Sequence, residues 1–379
     1  MKRLLIDANP IVPYYVTGRV TGIGRTTLEL IQALARIPKL PLEVILYSQN
    51  MKGIGGRNTG LPFKNYHLYL PHRENINRLL ARFPVKEWWT GYDLMHITHN
   101  FEYVYRPDKC VVTLHDALFM KIRESAFAHE KMRQIVPPFM HQCKHIITCS
   151  EASKRDIVET MNVAPEKITV IYWGVKHDIF YPQLDKVEVW RRIGSKLGLH
   201  NPYFLSVSCN AERKRTDVLV RSYMALLKSQ SVQHDLVLVW GNPPQTLLEE
   251  IHANGFDSRI HFLKNISDED LALLYNGAKA MIFPSSYEGF GLPLLESMAC
   301  GTPVITCRNS SLDEIADNAA IYLEEPIETS LIDVMWKLDQ NEIDNLEELV
   351  ELGIKRASLF NWEKTARETV QVYSNLLNL

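Results

Sequence analysis

Residues 280–307 read AMIFPSSYEGFGLPLLESMACGTPVITC, and this stretch decides the fold. The apolar run AMIF ends at Pro284 and passes into a loop of Ser and Gly residues. A helix is expected to start near Leu292, with Pro293 in its first turn, where a missing N–H has no intrahelical partner. The apolar run PVITC follows the helix directly. Strand, loop, helix and strand in this order are the repeating unit of a parallel α/β sheet.

The same alternation runs from end to end. In the first half strands are expected at RLLIDA, EVILYS, DLMHIT, CVVTLHD, HIITCS and ITVIYWG. Helices are expected over 24–37 and 151–160, the second capped by Ser150. A second series, YFLSVS, DLVLVWG, RIHFLKN, AMIFPS, PVITC and AIYLEE, begins after a polar, proline-bracketed join at 181–201. The reading is α/β, with two Rossmann-like doubly wound domains facing a central cleft. Residues 1–180 form the first and 181–361 the second, and a closing helix over 362–379 docks back on the first. Folds of this kind bind ligands at the carboxyl ends of their strands.

Composition narrows the function classes. A length of 379 residues suits two domains, and 46% hydrophobic with 23% charged residues describes a globular chain. A formal charge of −2 gives no electrostatic case for nucleic acid as a partner. The six cysteines show no CxxC pair and no Cys/His group at zinc spacing, so they read as buried thiols in a reducing compartment. No apolar run approaches the ~20 residues of a membrane span. The expectation is a cytoplasmic protein, one able to rest on the inner face of a membrane. Its oligomeric state is not legible.

Three segments carry candidate chemistry. In the opening stretch, Gly289 and Gly291 flank Phe290 and let backbone approach a ligand. The helix start at Leu292 offers free N–H groups and a partial positive charge, which suits a phosphate. Glu288 lies just before that helix and can accept hydrogen bonds from hydroxyls near the phosphate. Glu296 interrupts an otherwise apolar helix, and a buried carboxylate needs a partner, such as the two hydroxyls of a ribose. The plainer alternative makes Glu288 a loop carboxylate and Glu296 a solvated helix residue. In the second segment, NAERKRTD, the cations Arg213, Lys214 and Arg215 follow a strand and can offset the charge of a leaving diphosphate. Otherwise the run is a solvated basic loop. In the third, DANPIVPYYVTGRVTGIG, Gly22 and Gly24 precede a helix and can bring bare amides to a diphosphate or an acceptor. The segment is long for a plain turn and reads as a lid. Arg25 is either a phosphate or acceptor contact or an exposed first-turn residue.

These segments together resemble the retaining GT-B glycosyltransferases of family 4 over nearly the whole chain. Glu288 and Glu296 match the family's E-x7-E motif, and VTGIGRTTLELIQAL resembles its N-terminal glycine loop and first helix. VVTLHDALF resembles its His-Asp strand end, VIYWGVKHDIFYP its inter-domain segment, and SVSCNAERKRTDVLVRSY the basic loop opening its second domain. FNWEKTARETVQVYSNLL resembles the closing helix. The resemblance implies transfer of a hexose, mannose or similar, from a GDP- or UDP-sugar donor to a saccharide or lipid-linked saccharide acceptor. It makes His115 the residue that holds the donor sugar and Lys214 the family lysine. His115, Glu288 and Lys214 are then the catalytic candidates. Donor contacts would be Gly22, Gly24, Arg213, Lys214, Glu288, Gly289, Phe290, Gly291, Leu292 and Glu296. The base would lie near His261–Lys264. With no DxD near the diphosphate, no metal and no other cofactor are expected.

One departure stands out. Where members carry Gly-Arg after the strand, this chain has Ser208-Cys209. The rival readings are an accessory nucleotide-sugar-binding protein without turnover and a GT-B epimerase. A nicotinamide dehydrogenase is a third, disfavoured by the wrong glycine spacing. His96, His99, Cys300 and Cys307 show no constellation around them. Residues 76–94 mix Arg78, Arg82 and Lys86 with Leu79, Leu80, Phe83, Trp88 and Trp89. They either contact a membrane surface or pack their apolar side on their own domain.

Overall fold

The computed structural model describes residues 1–18, 21–51, 60–122, 129–325 and 327–379. They form two compact units, Met1–Gly174 with Trp362–Leu379, and Val175–Asn361.

The first unit is built on seven strands: β1 Lys2–Asp7, β2 Leu42–Gln49, β3 Lys64–Leu68, β4 Leu94–Ile97, β5 Cys110–Thr113, β6 His145–Thr148 and β7 Ile168–Val170. They lie in the order β3-β2-β1-β4-β5-β6-β7, all parallel. Helices cover both faces of such a sheet, so β4 and β5 are buried along their whole length. β3 was absent from the expected strands. Its sequence, KNYHL, lies at the sheet edge with only His67 buried, so it lacks the apolar run that marks a central strand.

The second unit holds β8 Tyr203–Val207, β9 Asp235–Val239, β10 Ile260–Leu263, β11 Ala280–Ile282, β12 Val304–Cys307 and β13 Ile321–Leu323. Their order is β10-β9-β8-β11-β12-β13, again all parallel. Each sheet reverses direction once, between β1 and β4 in the first and between β8 and β11 in the second. These are the places where doubly wound sheets open a crevice at the carboxyl ends of their strands.

The stretch expected to join the domains, 181–201, is instead the helix Lys186–Leu197 of the second unit. Val189 and Ile193 are fully buried, and Trp190 meets Tyr203 edge-on at 5.7 Å. That spacing is one face of a helix, hidden among charges in the sequence. Residues 175–180, placed before the expected boundary at 180/181, also belong to this unit. Val175 N–H donates to Phe360 O (3.2 Å) and Lys176 pairs with Asp268 at 3.2 Å.

The C-terminal helix Trp362–Leu377 belongs to the first unit. Tyr373 and His96 Nδ1 share a 2.6 Å hydrogen bond, and Thr365 Oγ1 donates to Tyr172 O at 2.7 Å. Trp362 stacks on Trp173 at 6.0 Å, so the residues beside the two crossings between units are packed together.

Candidate active site

In the second unit the loop after β8 and the loop after β11 meet, because those strands are neighbours although their loops lie about seventy residues apart in sequence. Glu288 is buried and its Oε1 is the meeting point. It receives Lys214 Nζ at 2.6 Å, Arg213 Nη1 at 2.9 Å and Ser285 Oγ at 2.7 Å. Arg213 Nη1 also donates to Tyr287 O at 2.8 Å, and Lys214 Nζ lies 4.4 Å from the centre of the Phe283 ring. Burial pushes the Glu288 carboxyl up, but the fields of Lys214 and Arg213 and the hydrogen bonds from Lys214 and Ser285 more than offset it, and it stays below its ordinary value. The site therefore holds an ionised carboxylate clamped by two cations.

The backbone around Glu288 is pinned from the loop after β12. Glu288 N–H donates to Ser310 Oγ (2.9 Å), while Ser311 Oγ donates to Glu288 O and Phe290 O, both at 2.9 Å. Phe290 is buried and meets Phe360 edge-on at 6.1 Å. These serines were missed in the sequence because single serines in loops carry no periodic signal.

The helix Leu292–Ala299 starts where expected, with Pro293 in its first turn. Its N-cap, Gly291, has φ +105, and a Cβ there would come within 3.0 Å of Leu312 Cδ2. Only glycine holds that conformation without strain. Gly291→Ala is expected to lower stability by about 1–3 kcal/mol, read by urea unfolding. Gly22→Ala, whose Cβ would meet nothing within 4 Å, is expected to change it little. Glu296 sits inside the helix, buried at 3% exposure, and accepts from Tyr275 OH at 3.3 Å. It is a buried carboxylate, and the solvated alternative is excluded.

Other expected donor groups are placed differently. His261 turns toward the amino end of its sheet, with Nε2 3.0 Å from Asp235 Oδ2 at the first residue of β9. Lys264, one residue past β10, is left as the carboxyl-end residue of that pair. Cys209 is exposed, and Ser208 Oγ is hydrogen-bonded to Thr216 Oγ1, so neither offers a cation. Arg215 takes the left-handed conformation (φ +52) and stays outside the Glu288 clamp. Beside this loop opens a cavity of about 530 Å³, lined among others by Asn210, Arg215, Thr216, Trp240 and Leu247.

In the first unit, Gly22 and Gly24 are not loop residues. They occupy the first turn of the helix Gly22–Ala35, and the Gly24 N–H donates to Thr21 Oγ1, its N-cap, at 3.2 Å. Gly24's amide is thus already engaged, for a helix start needs its N–H groups satisfied. The expected lid contains the helix Val12–Thr17, and its residues 19 and 20 lie outside the described residues.

His115 follows β5, and its Nε2 lies 3.1 Å from Thr98 O. A carbonyl only accepts, so Nε2 carries the proton. Burial lowers the His115 pKa to about 4, which leaves a neutral ring with an acceptor at Nδ1. Asp116 accepts from Leu118 N–H at 2.9 Å, a local turn bond.

His99 was expected to stand alone, and the structure corrects this. At the β1/β4 reversal its Nε2 lies 3.0 Å from Asp7 Oδ2, and His72 Nε2 lies 2.9 Å from Glu102 Oε2. Both carboxylates are buried. Asp7, His99 and Glu102 bring their polar atoms within 4.8 Å of one another. Three separate segments supply this network, the ends of β1 and β4 and the loop after β3, so no spacing in the sequence announces it. His96, by contrast, is a core histidine held by Tyr373 and Thr113.

Comparison with known proteins agrees with this architecture. The family model described as Glycosyltransferase Family 4 matches residues 20–179, and that described as Glycosyl transferases group 1 matches residues 192–353. The chain belongs to glycosyltransferase family 4. A relative of the transferase, the O-antigen chain mannosyltransferase B of Escherichia coli, is 27% identical over 94% of this chain and 97% of its own length. The O-antigen chain mannosyltransferase RfbU of Salmonella typhimurium is 29% identical over 63% of this chain and 61% of its own. Among solved structures, a sucrose-phosphate synthase from Thermosynechococcus elongatus superposes with a TM-score of 0.76 at 20% identity, covering 100% of both chains. The fold of the transferase is GT-B.

Proposed function

We propose that the transferase is retaining, and that it moves a hexose, mannose or similar, from a nucleoside-diphosphate sugar to a hydroxyl of a saccharide or lipid-linked saccharide acceptor in glycoconjugate assembly. The observation that carries this reading is the clamp of Arg213 and Lys214 on Glu288, beside a glycine-opened helix start. Two cations and a set of backbone N–H groups at one sheet reversal are what a departing diphosphate requires. That both relatives named above are mannosyltransferases supports mannose.

In this mechanism Glu296 holds the ribose, and Arg213, Lys214 and the amides at Gly291–Leu292 hold the diphosphate. The base lies toward Lys264. When a donor arrives, its phosphates compete with Glu288 for the two cations, and Glu288 turns to the sugar hydroxyls. The neutral His115 accepts a hydroxyl of the sugar at Nδ1. The bond between the anomeric carbon and the phosphate oxygen breaks, and the electron pair leaves with the diphosphate. The acceptor oxygen bonds to the same face of that carbon and gives its proton to a phosphate oxygen. Fixed positive charge at the leaving group does here what a bridging metal does elsewhere, so donor binding is proposed to be metal-independent. No protein nucleophile is required.

The test is thermal stabilisation of the purified protein by GDP-, UDP-, ADP- and dTDP-sugars, beside Glu296→Ala. Stabilisation by one nucleotide series, lost in the variant, is the expected result. Because Cys209 leaves the Gly-Arg position without a cation, the second reading is an accessory protein without turnover. It predicts stabilisation with no release of nucleoside diphosphate. No stabilisation by any series removes both readings.

A further inference from the structure

The stretch from Leu79 to Tyr105 settles differently from the apolar packing expected of a domain surface. Leu79, Phe83, Trp88, Trp89 and Tyr105 remain between 40% and 76% exposed, Trp88 the most. Phe83, Trp89 and Tyr105 line one shallow crevice, and Leu79 and Trp88 are the exposed chain neighbours of its lining residues Leu80 and Trp89. The patch is held in place from beneath. Trp89 meets the Tyr66 ring edge-on at 5.3 Å, Lys86 Nζ sits 4.8 Å over the Tyr47 ring, and Thr90 is buried. The short helix Val85–Thr90 is therefore fixed through Lys86, Trp89 and Thr90, with Trp89 half-exposed and Trp88 the most exposed ring.

The charges around it are one-sided. Arg73, Arg78 and Arg82 are exposed, and none forms an ion pair among the described residues. The nearby acids are already engaged: Glu74 by Lys131, Glu87 by Tyr92 OH and Asp108 by Arg106. Aromatic rings beside unpaired arginines match the interface of an anionic bilayer, where rings sit at headgroup depth and guanidinium groups meet phosphates. No helix among the described residues is long and apolar enough to cross a membrane, so attachment by this patch is peripheral.

We propose that this patch docks the first unit on an anionic phospholipid surface, with Trp88, Trp89 and Phe83 entering the interface and Arg73, Arg78 and Arg82 on the headgroups. The proposal is independent of which sugar nucleotide the protein binds. It is tested by co-sedimentation of the full chain with vesicles of phosphatidylglycerol and phosphatidylethanolamine, against vesicles of phosphatidylcholine alone. The wild type is expected to sediment with the anionic vesicles and stay in solution with the neutral ones. Trp88→Ser is expected to lower the partition about tenfold. The pair Arg78→Glu and Arg82→Glu is expected to lower it on the order of tenfold to a hundredfold. Tyr181→Ser, at a half-exposed ring on the second unit, should leave it unchanged, and all variants should keep the wild-type unfolding temperature. Wild-type protein that stays in solution with anionic vesicles overturns the proposal, as does sedimentation unchanged by both the Trp88 and arginine variants. A wild-type dimer that Trp88→Ser returns to monomer also overturns it, making the patch a self-association surface.

Discussion

Glu288→Gln should lower turnover on the order of a hundredfold to a thousandfold while leaving nucleoside-diphosphate binding as tight as in the wild type, or tighter. Glutamine keeps the size of the side chain and an acceptor for Ser285, but it removes the negative charge that holds Arg213 and Lys214. Those cations then meet the diphosphate without competition. What the variant loses is the carboxylate proposed to take the sugar hydroxyls as the bond breaks. Binding and turnover should therefore separate. The measurement pairs calorimetric titration of the stabilising nucleoside diphosphate with its rate of release from the matching sugar nucleotide in water. Turnover within a few-fold of wild type makes Glu288 a structural counter-ion alone. Binding that falls together with turnover means that the cations need Glu288 for their placement. A stability effect goes with it. The depressed Glu288 pKa adds stability that is present above the ordinary value of 4.5 and lost as the pH falls through the lower folded value. In Glu288→Gln that acid-side loss disappears.

A second large effect is acid lability of the first unit, beginning well above the carboxylate range. His96 is wholly buried between Tyr373 and Thr113, and burial, aided by the charge of His115, lowers its pKa from 6.5 to about 3. His115 falls to about 4. Below pH 6.5 the unfolded chain protonates these rings and the folded chain does not. Stability therefore falls as pH drops through this window, by about 1.4 kcal/mol per pH unit for each ring. Asp7 and Glu102, both depressed, add acid loss only below the usual carboxylate values, and the raised His72 acts in the opposite direction. Urea unfolding at about pH 7.5 and about pH 5 separates these terms, because His96→Gln removes one ring alone. The expected result is a stability difference between the two pH values that is smaller by about 2 kcal/mol in the variant. An unchanged slope means that His96 is protonated in the fold. Tyr373 lies on the C-terminal helix, so the wild type should also release that helix early in acid, seen as faster amide exchange over 362–377.

Much of this protein was legible from local pattern. Twelve of the thirteen strands announce themselves as short apolar runs, because a strand covered on both faces excludes polar residues wherever it passes. The start of the helix Leu292–Ala299 was legible from Pro293 and the glycines before it. Burial of Glu296 was legible from the apolar residues around it. In each case the cause lies within a few residues of the effect. Where neighbouring residues were ambiguous the reading failed. KNYHL is an edge strand without an apolar run, and the helix Lys186–Leu197 hides Val189 and Ile193 among charges.

The candidate-site cluster was legible only in pieces. Arg213, Lys214 and Glu288 were each candidates by residue type, but nothing along the chain says that both cations share one oxygen of Glu288. That follows from β8 lying beside β11, a neighbour relation set by the sheet order. The same holds for Asp7, His72, His99 and Glu102, gathered at the β1/β4 reversal from three segments. Solvent exposure is decided at this level too: Trp88 and Trp89 look like core residues until the underlying sheet is full and leaves them outside. By itself the sequence determined which segments are strands and helices, because backbone and burial preferences act locally. Only the tertiary structure decided which charges meet and which rings stay in water, because those depend on strand order and on the space left once the core has packed.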